Sequence, residues 1–209
     1  MELIVRTLPN NGVIEGKLPE DDIKNLWKLI DEAKKKPDDM RNELAGNITS
    51  SIRLDITSPL METFMKETLN SFVNKHIEAY GGPNRLVMKE GQTLGVDSFW
   101  VNFQRQTEFN PMHDHAGVYS FVIWMQIPTS FEEQRKLPIT INSNASTQIS
   151  NFAFTYTDIL GKMKSFAYNM EKDAEGYMVL FPASLHHLVS PFYNNGGERI
   201  SISGNVSVV

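Results

Sequence analysis

Residues 100–128 of the chain read WVNFQRQTEFNPMHDHAGVYSFVIWMQIP. Two strand-like runs rich in Val, Ile, Phe and Trp enclose a polar segment that carries His113 and His115, two residues apart. Along an extended backbone side chains alternate sides with period two, so the two imidazoles project from one face. That is the start of a metal site, and the flanking strands point to the fold class.

Working outward, similar runs recur downstream with turn residues between them. Val96 to Gln106, Val118 to Ile127, Ile139 to Ser143, Gln148 to Tyr156, Lys164 to Met170, Gly176 to Pro182 and Arg199 to Val208 follow a first run at Leu86 to Lys89. Eight strands at this spacing predict an antiparallel barrel or jelly roll. Trp100, Phe103, Tyr119, Phe121 and Trp124 read as core. Of these, Tyr119 stands closest to the histidine pair and is the one nominated for a substrate pocket. The polar stretch Ser130 to Lys136 reads as a solvated loop.

Upstream the periodicity becomes helical. After Pro19, Ile23, Leu26, Trp27 and Ile30 follow the i, i+3, i+4, i+7 pattern, with Lys34 to Lys36 at the end where a helix dipole favours cations and Pro37 as the stop. Ser58-Pro59 reads as a cap with proline at the first helical position, and Met61, Met65, Leu69 and Phe72 carry an apolar stripe to Gly81-Gly82. His76 on that stripe reads as a core or rim histidine. A short strand at Leu3 to Val5 and an extended run around Ile52 to Ile56 complete this half. With neither repeats nor a low-complexity linker, residues 1–209 are expected to form a single domain. In it residues 1–85, a strand and two α-helices, flank a barrel built from residues 86–209.

Composition narrows the function. An apolar share of 41% and a charged share of 22% suit a soluble globular chain. No apolar run approaches the roughly 18 residues that span a bilayer. The absence of cysteine removes disulfides, zinc-thiolate sites and cysteine nucleophiles. A net charge of -5 gives no general attraction to nucleic acid. The N-terminus MELIVRTLPNNG lacks a basic leader and an extended apolar region, so a cytoplasmic location is expected. Nothing in the sequence specifies an oligomeric state.

A second constellation completes the first. The apolar strand Gly176 to Pro182 is followed by His186 and His187, then Val189 and Pro191, and then Arg199-Ile200-Ser201. This ordered series resembles the Fe(II)- and 2-oxoglutarate-dependent oxygenases, whose double-stranded β-helix, a cupin-like jelly roll, binds iron through an HxD…H triad. The resemblance covers roughly Trp100 to Asn205. FPASLHHLVSP followed by GGERISIS is similar to the small hydroxylase-like members found in marine bacteria and phages, for which the cytoplasm would be that of the host cell.

The resemblance implies Fe(II) and 2-oxoglutarate as cofactors, with His113 and His187 as metal ligands, His187-x-Val189-x-Pro191 matching the family's HxVxP ending. It implies that Arg199 and Ser201 hold the distal carboxylate of 2-oxoglutarate. A guanidinium grips carboxylates through paired, charge-assisted hydrogen bonds, and a serine two residues along a strand faces the same way. Asn102 and Gln104 match an N-x-Y pair that contacts the cosubstrate in one branch of the family, with glutamine in place of tyrosine. The activity implied is hydroxylation of a C–H bond on a small molecule or a protein side chain.

Position 115, where the motif carries a carboxylate, is histidine. Three readings stand: His115 is the third ligand, Asp114 binds through a local bulge, or His115-x-Gly117 resembles the carboxylate-free halogenases with chloride at the metal. A different class, the cupin-type metal proteins, would use His113, His115 and His186. No glutamate follows His115 before Glu132, however, and Arg199-x-Ser201 would have no role. A non-catalytic jelly-roll binding protein, with Arg199 paired to Glu198 or Glu90 at the surface, is the non-enzyme alternative. Because neighbours on a strand face opposite ways, the orientation of His186 and His187 separates the first two classes.

Overall fold

The structure, a computed structural model, describes residues 3–5, 10–82, 91–141, 148–193 and 196–209. Two helical segments form early. Helix α1 (Glu20–Lys35) carries Glu20, Asp21 and Asp22 in its first turn and Lys34 and Lys35 in its last, matching the helix dipole, and buries Leu26, Leu29 and Ile30. At Ser58 the hydroxyl accepts from the Leu60 backbone N–H and Pro59 occupies the first position, opening a 3-10 turn (Pro59–Met61). The chain then passes through a π-helical stretch (Phe64–Leu69) into α2 (Asn70–Tyr80), which Gly81 closes at φ 74°. Phe64 and Leu69, both buried, lie five residues apart, the π repeat, so this segment departs from the single regular helix that the apolar stripe predicts.

Among the described residues, ten strands make two antiparallel sheets. They are β1 (Ile14–Lys17), β2 (Ser51–Arg53), β3 (Leu94–Gln104), β4 (Asn110–His113), β5 (Tyr119–Gln126), β6 (Asn151–Thr157), β7 (Met163–Asn169), β8 (Tyr177–Pro182), β9 (His187–Val189) and β10 (Arg199–Val208). The larger sheet has the order β1-β8-β5-β10-β3-β2 and the smaller β4-β9-β6-β7. β10 returns between β3 and β5, pairing Ser201 with Asn102 on one side and with Trp124 on the other.

Strand β5 is buried through seven of its eight residues because it is covered on both faces. Tyr119, Phe121, Ile123 and Met125 pack with Leu26, Ile30 and Phe64 from the helical layer. Val122 and Trp124 meet Phe152, Phe154 and Phe181 between the two sheets. His187 lies in this second layer, against Phe152, Phe154 and Phe181.

Several expectations change. The strand expected at Ile139 to Ser143 begins instead as a short helix, α4 (Pro138–Ile141), because proline at a first helical position outweighs the β-branched run; the rest of it, like the run at Leu86 to Lys89, lies outside the described residues. Leu3 to Val5 is exposed and unpaired to any strand, and the first strand is β1, which pairs with β8. Ser130 to Lys136 contains a helical turn, α3 (Phe131–Gln134), rather than a plain loop. The two shortest strands of the smaller sheet, β4 and β9, escape the strand count altogether, since three or four residues carry too little periodicity.

Candidate metal centre

Strands β4 and β9 pair antiparallel with His113 opposite His187, which sets two imidazoles side by side at the edge of the smaller sheet. His115 lies two residues beyond the end of β4, and its backbone N–H donates to the carbonyl of Ala183 at 2.9 Å, next to the end of β8. One donor nitrogen from each of the three rings lies within 4.8 Å of the others. Ring centroids are 4.4 Å apart for His113 and His187, 5.0 Å for His113 and His115, and 5.1 Å for His115 and His187.

Two of these rings are oriented the same way. The Nδ1–H of His113 donates to the Pro111 carbonyl at 2.7 Å, and that of His187 to the Leu185 carbonyl at 2.9 Å. A carbonyl only accepts, so each bond fixes the proton on Nδ1 and leaves Nε2 with its lone pair free for a cation. Phe181 and Phe152 stand 4.9 Å and 5.3 Å from the His187 ring, and Trp100 stands 5.9 Å from His115. Burial among them pushes the His187 pKa down to about 3, with the neighbouring His113 adding to it. For His115 burial, then His113, lowers it to about 4, against a smaller opposing effect of Asp114. Both imidazoles are therefore neutral at neutral pH, the form that binds metal.

Asp114 is exposed, and its carboxylate is not among the converging donors. His186 is exposed while His187 is 4% exposed, so alternation along β9 turns the second of the pair inward. That orientation is the one the oxygenase resemblance requires and the reverse of the cupin arrangement.

A cavity of about 190 Å³ runs from the three histidines to Arg199, with Asn102, Gln104 and Ser201 also in its wall. Arg41, Glu43 to Gly46 and Ile48 also line it, and their segment is tied to the start of β4 by the Asn47 N–H donating to the Phe109 carbonyl at 2.8 Å. Arg199 is 2% exposed. Its guanidinium donates to Gln104 Oε1 at 3.2 Å, to the Ser190 carbonyl at 3.4 Å and to Ser150 Oγ at 2.9 Å, all neutral acceptors, while its Nε–H has no partner among the described residues. Burial lowers its pKa to about 9, so it stays charged at neutral pH. A buried cation without a counter-anion is costly, and an anionic ligand entering this cavity relieves it. Three neutral nitrogen donors at one end and an unmatched guanidinium at the other fit a divalent metal with a chelating dicarboxylate between them.

Tyr119 is a correction. It packs with Leu26, Ile30 and Phe64 of the helical layer, is fully buried and is not among the residues that line the cavity. Its hydroxyl donates to His76 Nδ1 at 3.2 Å, and His76 in turn donates from Nε2 to the Gly12 carbonyl at 3.1 Å. His76 is, as expected, a core histidine. Ser150, which touches Arg199, gave no signal in the sequence.

The family described as "Putative 2OG-Fe(II) oxygenase" matches residues 98–205, more than half of the chain. No curated protein matches it. Among solved structures, a Pseudomonas putida prolyl-4-hydroxylase is similar at a TM-score of 0.50 and 13% identity, over 93% of this chain and 91% of that one. A viral collagen prolyl hydroxylase from Paramecium Bursaria Chlorella virus-1, in its 2OG complex, gives 0.52 and 10%, over 93% and 94%. A Trichoplax adhaerens prolyl hydroxylase in complex with a hypoxia inducible factor peptide fragment gives 0.52 and 12%, over 95% and 83%. At such identities these likenesses show the fold, a double-stranded β-helix.

Proposed function

Because the chain belongs to the 2OG-Fe(II) oxygenase family, with Fe(II) and 2-oxoglutarate as its cofactors, we propose that it is a hydroxylase in which His113, His115 and His187 hold the iron and Arg199 anchors the cosubstrate. The observation that carries this assignment is the buried guanidinium of Arg199, which lines the same cavity as the three histidines and whose hydrogen-bond partners among the described residues are all neutral. His113, His115 and His187 would hold the iron through three nitrogens, leaving it room to take up the 2-oxo acid whose distal carboxylate Arg199 would hold. Iron so bound supplies the coupling of 2-oxoglutarate and O2 to succinate, CO2 and a hydroxylated product.

The chain's own residues do the rest. The Pro111 and Leu185 carbonyls hold two imidazoles in the metal-binding tautomer. Arg199 fixes the distal carboxylate and so the orientation of the 2-oxo acid at the metal, with Ser201 beside it on β10 and Asn102 and Gln104 on β3 lining the same wall. Phe152, Phe181 and Trp100 keep water from the centre. The substrate is a small molecule or a protein side chain, as the peptide-bound neighbour illustrates for its own reaction. We place the protein in the cytoplasm, where iron is kept ferrous; no helix among the described residues is long and apolar enough to cross a membrane.

Anaerobic calorimetry on the Fe(II)-loaded protein tests the anchor. Arg199→Ala is expected to weaken 2-oxoglutarate by roughly a hundredfold or more, the scale of losing a buried charged contact, while iron stays bound. Unchanged affinity for 2-oxoglutarate would remove Arg199 from this role.

A further inference from the structure

We propose that Ser150 is a positioning residue for the cosubstrate, a strained serine whose hydroxyl aims the Arg199 guanidinium at the distal carboxylate of 2-oxoglutarate; the inference rests on the reading of Arg199 given above. Ser150 has φ 46°, in the left-handed region that L side chains other than asparagine and aspartate seldom enter. Among the described residues the other non-glycine residue with positive φ, Thr107, lies in an exposed turn, whereas Ser150 is fully buried. Strain of this kind persists only where the surroundings impose it.

Those surroundings are specific. The Ser150 N–H donates to the Pro191 carbonyl at 2.8 Å, just past β9, and its carbonyl accepts from the Met170 N–H at 2.9 Å, just past β7. The backbone is thus pinned between two strand ends. From there the hydroxyl accepts from Arg199 Nη2 at 2.9 Å and shares a hydrogen bond with Thr129 Oγ1 at 3.0 Å. A glycine would take this backbone conformation without strain and would carry no hydroxyl.

The division of the guanidinium explains why that hydroxyl matters. Gln104 Oε1 and the Ser190 carbonyl engage Nη1, at 3.2 Å and 3.4 Å, and the Phe192 ring lies 5.1 Å from Cζ against one face. Among the described residues Ser150 alone holds Nη2, and by the shortest of the three bonds. With one Nη2 hydrogen so engaged, the Nε–H and the second Nη2 hydrogen are left for a carboxylate. Without Ser150 the plane is free to turn about its Nη1 end, and the two donors lose their aim.

The test compares two ligands on Fe(II)-loaded protein by anaerobic calorimetry. 2-Oxobutyrate has the same chelating 2-oxo acid head as 2-oxoglutarate but no distal carboxylate. Ser150→Gly and Ser150→Ala should each weaken 2-oxoglutarate by about tenfold, in line with losing one hydrogen bond to a charged group, and leave 2-oxobutyrate and iron unchanged. Both variants lose the hydroxyl, but Ser150→Gly should unfold at a higher temperature than Ser150→Ala, because only glycine takes the left-handed backbone without strain. Equal loss for both ligands, or no loss for 2-oxoglutarate, would overturn the inference by making Ser150 merely structural or idle. If wild type itself bound the two ligands equally, the fault would lie with the reading of Arg199, and the inference would fall with it.

Discussion

His115 stands where the family's motif carries a carboxylate, so the three ligands proposed for the iron are neutral. The structure separates it from Asp114 by orientation: the imidazole converges with His113 and His187, and the carboxylate faces solvent. His115→Ala is therefore expected to lower Fe(II) affinity by at least about tenfold, and Asp114→Ala to change it little; metal content after dialysis checks both. The reverse order would make Asp114 the ligand. At this scale much was legible, because His113, His187 and Arg199 sit in motifs whose spacing follows from strands. Tyr119 was nominated on its closeness in sequence to the histidine pair, whereas its side chain packs under the helical layer and its hydroxyl reaches His76. Ser150 was illegible for a different reason: its role arises where the ends of β7 and β9 meet β10, and no local pattern announces that meeting.

Among the elements, the long strands β3, β5 and β10 could be read from their apolar runs, while β4 and β9, which present two of the proposed ligands, could not. Those two are given by their partners: β9 is held between β4 and β6, with His187 paired to His113 on one side and Phe154 on the other. Helix α2 is joined to β5 through His76 and Tyr119, and this joint has measurable consequences. Tyr119→Phe should cost about 1 kcal/mol of stability, the net value of one hydrogen bond, and leave metal and 2-oxoglutarate binding as in wild type. Burial lowers the His76 pKa from its ordinary 6.5, against a smaller raising effect of the Gly12 carbonyl. The unfolded chain thus takes up that proton first, so the stability His76 contributes is whole above about pH 6.5 and is lost as pH falls below it. Denaturation midpoints measured between about pH 7 and pH 5 should fall more for wild type than for His76→Phe.

Over the whole molecule, one hydrophobic cluster joins Leu26, Ile30, Phe64 and Val73 of the helical layer to Phe99, Val101, Phe121 and Ile202 of the larger sheet. We propose on that ground that the chain is a single cooperative domain, expected to unfold in one transition by circular dichroism and by tryptophan fluorescence alike; two separated transitions would divide the helical layer from the barrel. The barrel in turn brings residues some seventy positions apart into one cavity, its histidine end and its arginine end fixed by different strands. The central claim is that a metal and a dicarboxylate fill that cavity together. Titrating 2-oxoglutarate anaerobically into the Fe(II)-loaded protein, and recording the visible spectrum, tests it most directly. The account predicts an absorption band of the iron–2-oxo acid chelate that saturates at one equivalent and is absent in His187→Ala. Iron demonstrably bound to the wild-type protein, with no band at saturating 2-oxoglutarate, would contradict it.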